Sequence, residues 1–219
     1  MPEKRSMPEV EAKLRKHFLK IPPVIRECSG ILVLGKRIKS LVFTTDLSII
    51  RNVDADAVLA VYPFTPQPII TQALALAADI PLFVGVGGGL TRGRRVSFLA
   101  INAEAQGALG VVLNAPTSNE SLREVSDMLN IPAVITVVSE QDDVRARVEA
   151  GAGILNVAAG ADTPALVRSI RERLPEFPII ATGGPTEESI RETIAAGANA
   201  ISWTPPPGSQ LFKPSMDAY

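Results

Sequence analysis

The sequence predicts an α/β fold, a closed barrel of eight parallel strands alternating with helices, and three observations carry that expectation. Eight short Val/Ile/Leu-rich runs start near Ser40, Ala57, Pro81, Ala108, Pro132, Ile154, Pro178 and Ala200, at steps of 17 to 27 residues. Each run is continuously apolar rather than alternating, as a parallel strand buried on both faces should be. The junctions into the runs alternate as well. Asp54-Ala55, Gly107-Ala108, Gly151-Ala152 and Gly197-Ala198 mark the even strands, whereas Ile80-Pro81, Ile131-Pro132 and Phe177-Pro178 mark odd ones. The repeating unit is therefore (βα)₂ taken about four times, which closes into a (βα)₈ TIM barrel. A doubly wound open sheet is the alternative. Against it, GVGGGL at 85–90 has Leu90 where the dinucleotide fingerprint needs its third Gly, and it follows the third strand.

The segments between the runs read as helices. Leu122, Val125 and Leu129 form one apolar stripe, and Leu166, Ile170 and Leu174 form another. Thr117 to Glu120 and Ser139 to Asp142 fit a capping box, while Thr65-Pro66 and Thr163-Pro164 put Pro at a first helical position. The run Ile31 to Leu34, ending at Gly35, is expected outside the eight as a flap or extra strand. Val10, Leu14, Phe18 and Ile21 share a helical face, which predicts an N-terminal helical extension packed under the barrel or against another subunit. His17 lies on the adjacent flank and reads as structural. Residues 1–37 are thus expected to form helix and flap within the same domain as the barrel of residues 38–219.

Composition narrows the function. In 219 residues, 22 Lys+Arg balance 23 Asp+Glu for a net charge of −1, so nothing would hold a nucleic acid or an acidic membrane surface. There is no apolar run of about 18 residues to span a bilayer. The opening MPEKRSMPEVEAKLRKHF has no apolar signal-peptide core. One Cys (Cys28) and one His (His17) exclude a disulfide framework and a His-rich metal site. The expectation is a cytoplasmic protein with no metal.

In such a barrel the chemistry lies at the C-terminal ends of the strands. Aligning the odd strands puts Thr44, Gly85, Thr136 and Thr182 at one level; the even strands put Asn156 and Ser202 together, with Asn114 and Thr204 above. No strand end carries Lys, His or Cys, so Asp46, Glu140 and Tyr62 are the titratable groups. Asp46 and Glu140 are the candidate catalytic acids, although either can instead cap a helix or sit in its first turn. Thr44, Asn114, Asn156, Gly87, Gly88 and Arg92 are candidate substrate-binding residues. After the seventh strand, Thr182-Gly183-Gly184 runs into a helix, and with Thr204 it forms a candidate phosphate cradle.

The segment Pro178 to Pro205, with ATGGPTEESIRETIAAGANAI at its centre, resembles the last quarter of the phosphate-binding barrels grouped with ribulose-phosphate-binding enzymes. The run Lys36 to Pro206, with AVYPFTPQPIITQAL, VGVGGGLTRG and GVVLNAPTSNE, is similar to a bacterial barrel family often labelled "hydrolase". The first resemblance implies a small phosphorylated metabolite as substrate and a strand-end Lys, Asp or Glu for proton work; this chain lacks the Lys. The sequence therefore favours an isomerase, epimerase or lyase working by carboxylate proton transfer without a cofactor. An FMN-dependent oxidoreductase, a hydrolase and a non-catalytic binder of a phosphorylated effector are the alternatives. A homo-oligomer is compatible with all of them.

Overall fold

The computed structural model describes Pro8, Val10 and residues 19–216. Most of the expected N-terminal helix lies outside the described residues. A short 3-10 turn (Pro23–Glu27) leads into an antiparallel hairpin of β1 (Ile31–Val33) and β2 (Lys36–Ile38). The expected extra strand is thus half of a hairpin. Its two-residue loop, Leu34-Gly35, has positive φ at both positions (45° and 81°), the combination that matches the twist of paired strands.

Eight parallel strands follow, each leading into a helix: β3 (Ser40–Phe43), α1 (Leu47–Ile50), β4 (Ala57–Ala60), α2 (Pro68–Ala77), β5 (Leu82–Gly87), α3 (Arg94–Ala105), β6 (Gly110–Leu113), α4 (Asn119–Met128), β7 (Ala133–Val137), α5 (Val144–Glu149), β8 (Ile154–Val157), α6 (Thr163–Arg173), β9 (Ile179–Thr182), α7 (Glu187–Ala195), β10 (Ala200–Trp203) and α8 (Gly208–Met216). Parallel pairing runs from β3 to β10 in sequence order, and Ile201 opposite Ser40 closes the ring. The chain is a (βα)₈ TIM barrel. Among the described residues no helix is long and apolar enough to cross a membrane.

Strand alternation divides the apolar residues into two layers. Val42, Val58, Val84, Leu113, Ile135, Leu155, Ala181 and Ile201 face the helices. Leu41, Ala57, Leu59, Phe83, Val112, Val134, Ile154, Ile180 and Ala200 fill the barrel, and Ile31, Val33 and Ile38 of the hairpin join them from below. Interior volume is shared between large and small residues: a β-carbon on Gly110 would stand 2.6 Å from the Phe83 ring on the paired strand. At the N-terminal end, Asp56 Oδ2 accepts from the Lys39 and Ser40 amides and from the Ser40 hydroxyl, tying the start of β3 to that of β4.

Three expected helix starts shift. The cap of α4 is Ser118, which accepts from the Ser121 amide, rather than Thr117. In α2 it is Pro68, not Pro66, that opens the helix. Helix α5 begins at Val144 with Asp143 as its cap, because Asp142 instead closes a turn by accepting from the Val138 and Ser139 amides. Glu140 therefore lies in that turn and not in a helical first turn.

Candidate functional site

The strand register defines a ring of inward side chains at the C-terminal mouth. Ile154 faces the interior and Leu155 the helices, so Asn156 faces inward, paired with Thr136 on β7. The same alternation turns Phe43, Val61, Gly85, Asn114, Thr182 and Ser202 inward. The ring carries no charged side chain. One sequence-derived level is corrected here. On β3 Val42 packs against the helices, so Phe43 and not Thr44 takes the ring position; the odd-strand alignment slipped by one residue because this strand has no Pro mark. Thr44 lies just past the strand, its hydroxyl accepting from the Asp46 amide at 3.1 Å.

Asn156 is the ring's tightest polar position. It is 8% exposed, its Nδ2 donates to Thr136 Oγ1 at 3.3 Å, and its Oδ1 is buried with no partner. A buried carboxamide oxygen without a donor is costly, on the order of 1–3 kcal/mol, and a bound ligand hydroxyl or an ordered water would satisfy it.

A cavity of about 190 Å³ opens on the β4–β6 side, lined by Val61, Tyr62, Gly85, Gly87, Thr91 and Asn114 among others. Tyr62 is its one titratable lining residue; the phenol oxygen accepts from the Gln67 amide at 2.9 Å, which leaves its own O–H free to donate. A register shift between β5 and β6 at Gly85/Gly87 bends the strand end over the mouth. Gly88, at φ +103°, then lies against Thr117 so closely that any β-carbon would overlap the Thr117 hydroxyl. Arg147 on α5 holds the segment between β6 and α4, donating to the Ala115 and Thr117 carbonyls and to Asn119 Oδ1.

The candidate acids lie apart from the ring. Asp46 caps α1: its Oδ1 accepts from the Ser48 amide and hydroxyl and from the Ile49 amide. Those donors, the Ser48 hydroxyl foremost, hold its carboxyl below the ordinary value of 3.8. Glu140 is exposed on the β7–α5 turn and shares a cavity with Asp162, between the segments that follow β7 and β8. Arg92 is exposed and lines a second cavity beyond the glycine loop.

The phosphate-cradle residues differ in what they offer an anion. The Gly183 amide donates to Ser202 O at 3.2 Å, and a β-carbon there would meet Ile201 at 2.7 Å and Ile190 at 2.8 Å. Gly183 is therefore a packing glycine. Gly184 is exposed with φ +78°, Thr182 is half-buried in the ring and Thr204 is exposed. The start of α7 is already closed by a Thr186–Ser189 capping box, which a search for an acid at the third position overlooks.

The structure thus brings Asn114, Asn156, Gly87 and Thr182 together at the mouth and leaves Asp46, Glu140, Arg92 and Thr204 at or outside its rim. Thr117 was read from sequence only as a helix cap, and Arg147 carried no sequence signal, since its role rests on tertiary contacts.

No family model matches the chain. A thiamine-phosphate synthase of Geobacillus thermodenitrificans (strain NG80-2) is 29% identical over 115 residues, 48% of this chain, and the match spans only 50% of that relative. Among solved structures, the phosphoenolpyruvate phosphomutase of Streptomyces platensis subsp. rosaceus superposes with TM-score 0.62 at 14% identity, covering 82% of this chain and 79% of the other. A phosphonopyruvate hydrolase in complex with oxalate and Mg²⁺ gives 0.62 at 13%, covering 85% and 81%. A mandelate oxidase variant with an FMN monooxide adduct gives 0.66 at 15%, covering 81% and 68%. At these identities the likeness is one of fold.

Proposed function

We propose that this barrel is an enzyme of the isomerase, epimerase or lyase type, acting on a small phosphorylated metabolite that carries a hydroxyl. The unpartnered Asn156 oxygen carries the reading: it is a buried acceptor in the ring at the mouth, suited to a substrate O–H. Asn114 and Tyr62 approach the ligand from the other side of the mouth. The Tyr62 O–H stabilises the substrate oxygen on which negative charge develops, and Glu140, on the turn that follows β7 at the rim of the mouth, receives the proton. Asp46, whose Oδ1 caps α1, is assigned a structural role. The phosphate rests at the turn after β9, on the Gly184 amide and the Thr182 and Thr204 hydroxyls, where barrels of this architecture commonly hold one.

The thiamine-phosphate synthase match and the phosphomutase likeness support a phosphorylated ligand. Magnesium is present in the phosphonopyruvate hydrolase structure; among the described residues here no three His, Cys, Asp or Glu side chains gather into a group that could hold an ion. For a flavin, the mouth cavity of about 190 Å³ falls below the roughly 300–1,000 Å³ usual for drug-sized ligands, which favours the small substrate. Hydrolysis by a water activated at Glu140 is the second reading, to which the hydrolase likeness lends support.

Calorimetric titration with glycerol 3-phosphate, against glycerol and inorganic phosphate separately, tests the binding claim. The ester should bind at least about tenfold more tightly than inorganic phosphate, and Asn156→Leu should remove that advantage. Equal affinities would contradict it.

A further inference from the structure

Beyond the glycine loop from the mouth lies a cavity of about 280 Å³ that the proposed reaction leaves unused, lined by Gly88, Thr91, Arg92, Val96, Pro116, Thr117, Ser118 and Ser121. We infer that it is an anion subsite that takes a carboxylate. This rests on the reading above in one respect, that the carboxylate belongs to the same phosphorylated metabolite.

Four observations converge on the cavity. Helix α4, ten residues long, begins at its wall, and its first amides have no intrahelical acceptor. The Thr117 carbonyl accepts from Arg147, so across the trans peptide the Ser118 N–H points away from Arg147. Thr117, in the cavity lining, is only 5% exposed, and its hydroxyl, packed against Gly88, has no partner. Arg92 donates through Nε to Gly89 O at 2.9 Å, which orients the guanidinium and leaves its terminal nitrogens free among the described residues.

The charge pattern agrees. Arg94 and Arg95 occupy the first turn of α3 and no acid is present there, the reverse of what the helix dipole favours. Glu120 in the first turn of α4 is the opposing charge, and it is exposed. The planar fork of one arginine with hydroxyls at its side suits a singly charged planar carboxylate.

Site-resolved NMR of the whole chain tests this with acetate as the probe. The amides of Ser118, Asn119 and Glu120 should shift on titration, and Arg92→Ala should weaken that response about tenfold or more; Thr117→Val, which removes only the hydroxyl, should weaken it less. Absence of shifts at these amides, or an unchanged response in Arg92→Ala, would overturn the subsite. Inorganic phosphate in the same experiment reports on Gly184, so failure of the phosphate reading and failure of this inference appear at different resonances.

Discussion

Asn156 and Thr136 share one hydrogen bond between adjacent strands at the barrel mouth, 3.3 Å from Nδ2 to Oγ1, and the other end of the Asn156 carboxamide is buried with no partner. Everything below this pair is apolar, from Val134 and Ile154 down. The polar ring is therefore a single layer, and a donor from the ligand is what it lacks.

Asn156→Leu should trade function for stability. Replacing a half-satisfied buried amide by an apolar side chain of similar size is neutral or stabilising, by up to ~1–3 kcal/mol, whereas ligand binding should be lost. Urea unfolding of the variant measures this. A loss of more than about 1 kcal/mol would show that the Thr136 bond is structural.

Asp46→Asn should change stability by no more than about 0.5 kcal/mol and leave turnover intact, because the two residues cap almost equally well; Asp46→Ala should cost about 0.5–2 kcal/mol. The donors around Asp46 lower its folded-state pKa, so its contribution is present above the unfolded value, near 3.8, and is lost as pH falls through the folded one. The gap between wild type and Asp46→Ala should accordingly narrow below about pH 4 in urea titrations. A large activity loss in Asp46→Asn would restore it as the base.

Arg147→Ala should release the Ala115–Asn119 loop. Losing three charge-assisted bonds predicts a fall of ~1.5–3 kcal/mol in unfolding free energy and faster hydrogen exchange at Thr117. Arg147→Lys should rescue little, since one ammonium lacks the planar fork that spans two carbonyls and a side chain. Unchanged exchange at Thr117 in Arg147→Ala would refute the clamp.

Gly183→Val should destabilise the protein whether or not phosphate is present, because the new methyl groups enter the Ile190–Ile201 contact. Gly184 is the residue whose substitution reports on the anion. If Gly183→Val keeps its melting temperature, the packing account of that glycine is wrong.

The barrel was legible because burial on both faces writes continuous apolar runs, and because the Pro and Gly-Ala marks repeat wherever a helix turns back into a strand. The mouth was legible at Asn114, Asn156 and Thr182 for the same reason, as strand position fixes which side chain faces inward. Asp46 could not be resolved from sequence, since Asp is equally suited to capping a helix and to accepting a proton. Thr44 was misplaced where no mark anchored the register. Thr117 was legible only as a helix cap, and Arg147 left no trace at all: its contacts join residues 30 and 28 positions apart, a matter of helix packing rather than local pattern.

The most direct test is a crystal structure with glycerol 3-phosphate bound. The account predicts a ligand hydroxyl within about 2.5–3.2 Å of the Asn156 carboxamide and the phosphate on the Gly184 amide. A ligand bound elsewhere, with the Asn156 oxygen still unpartnered, would contradict it.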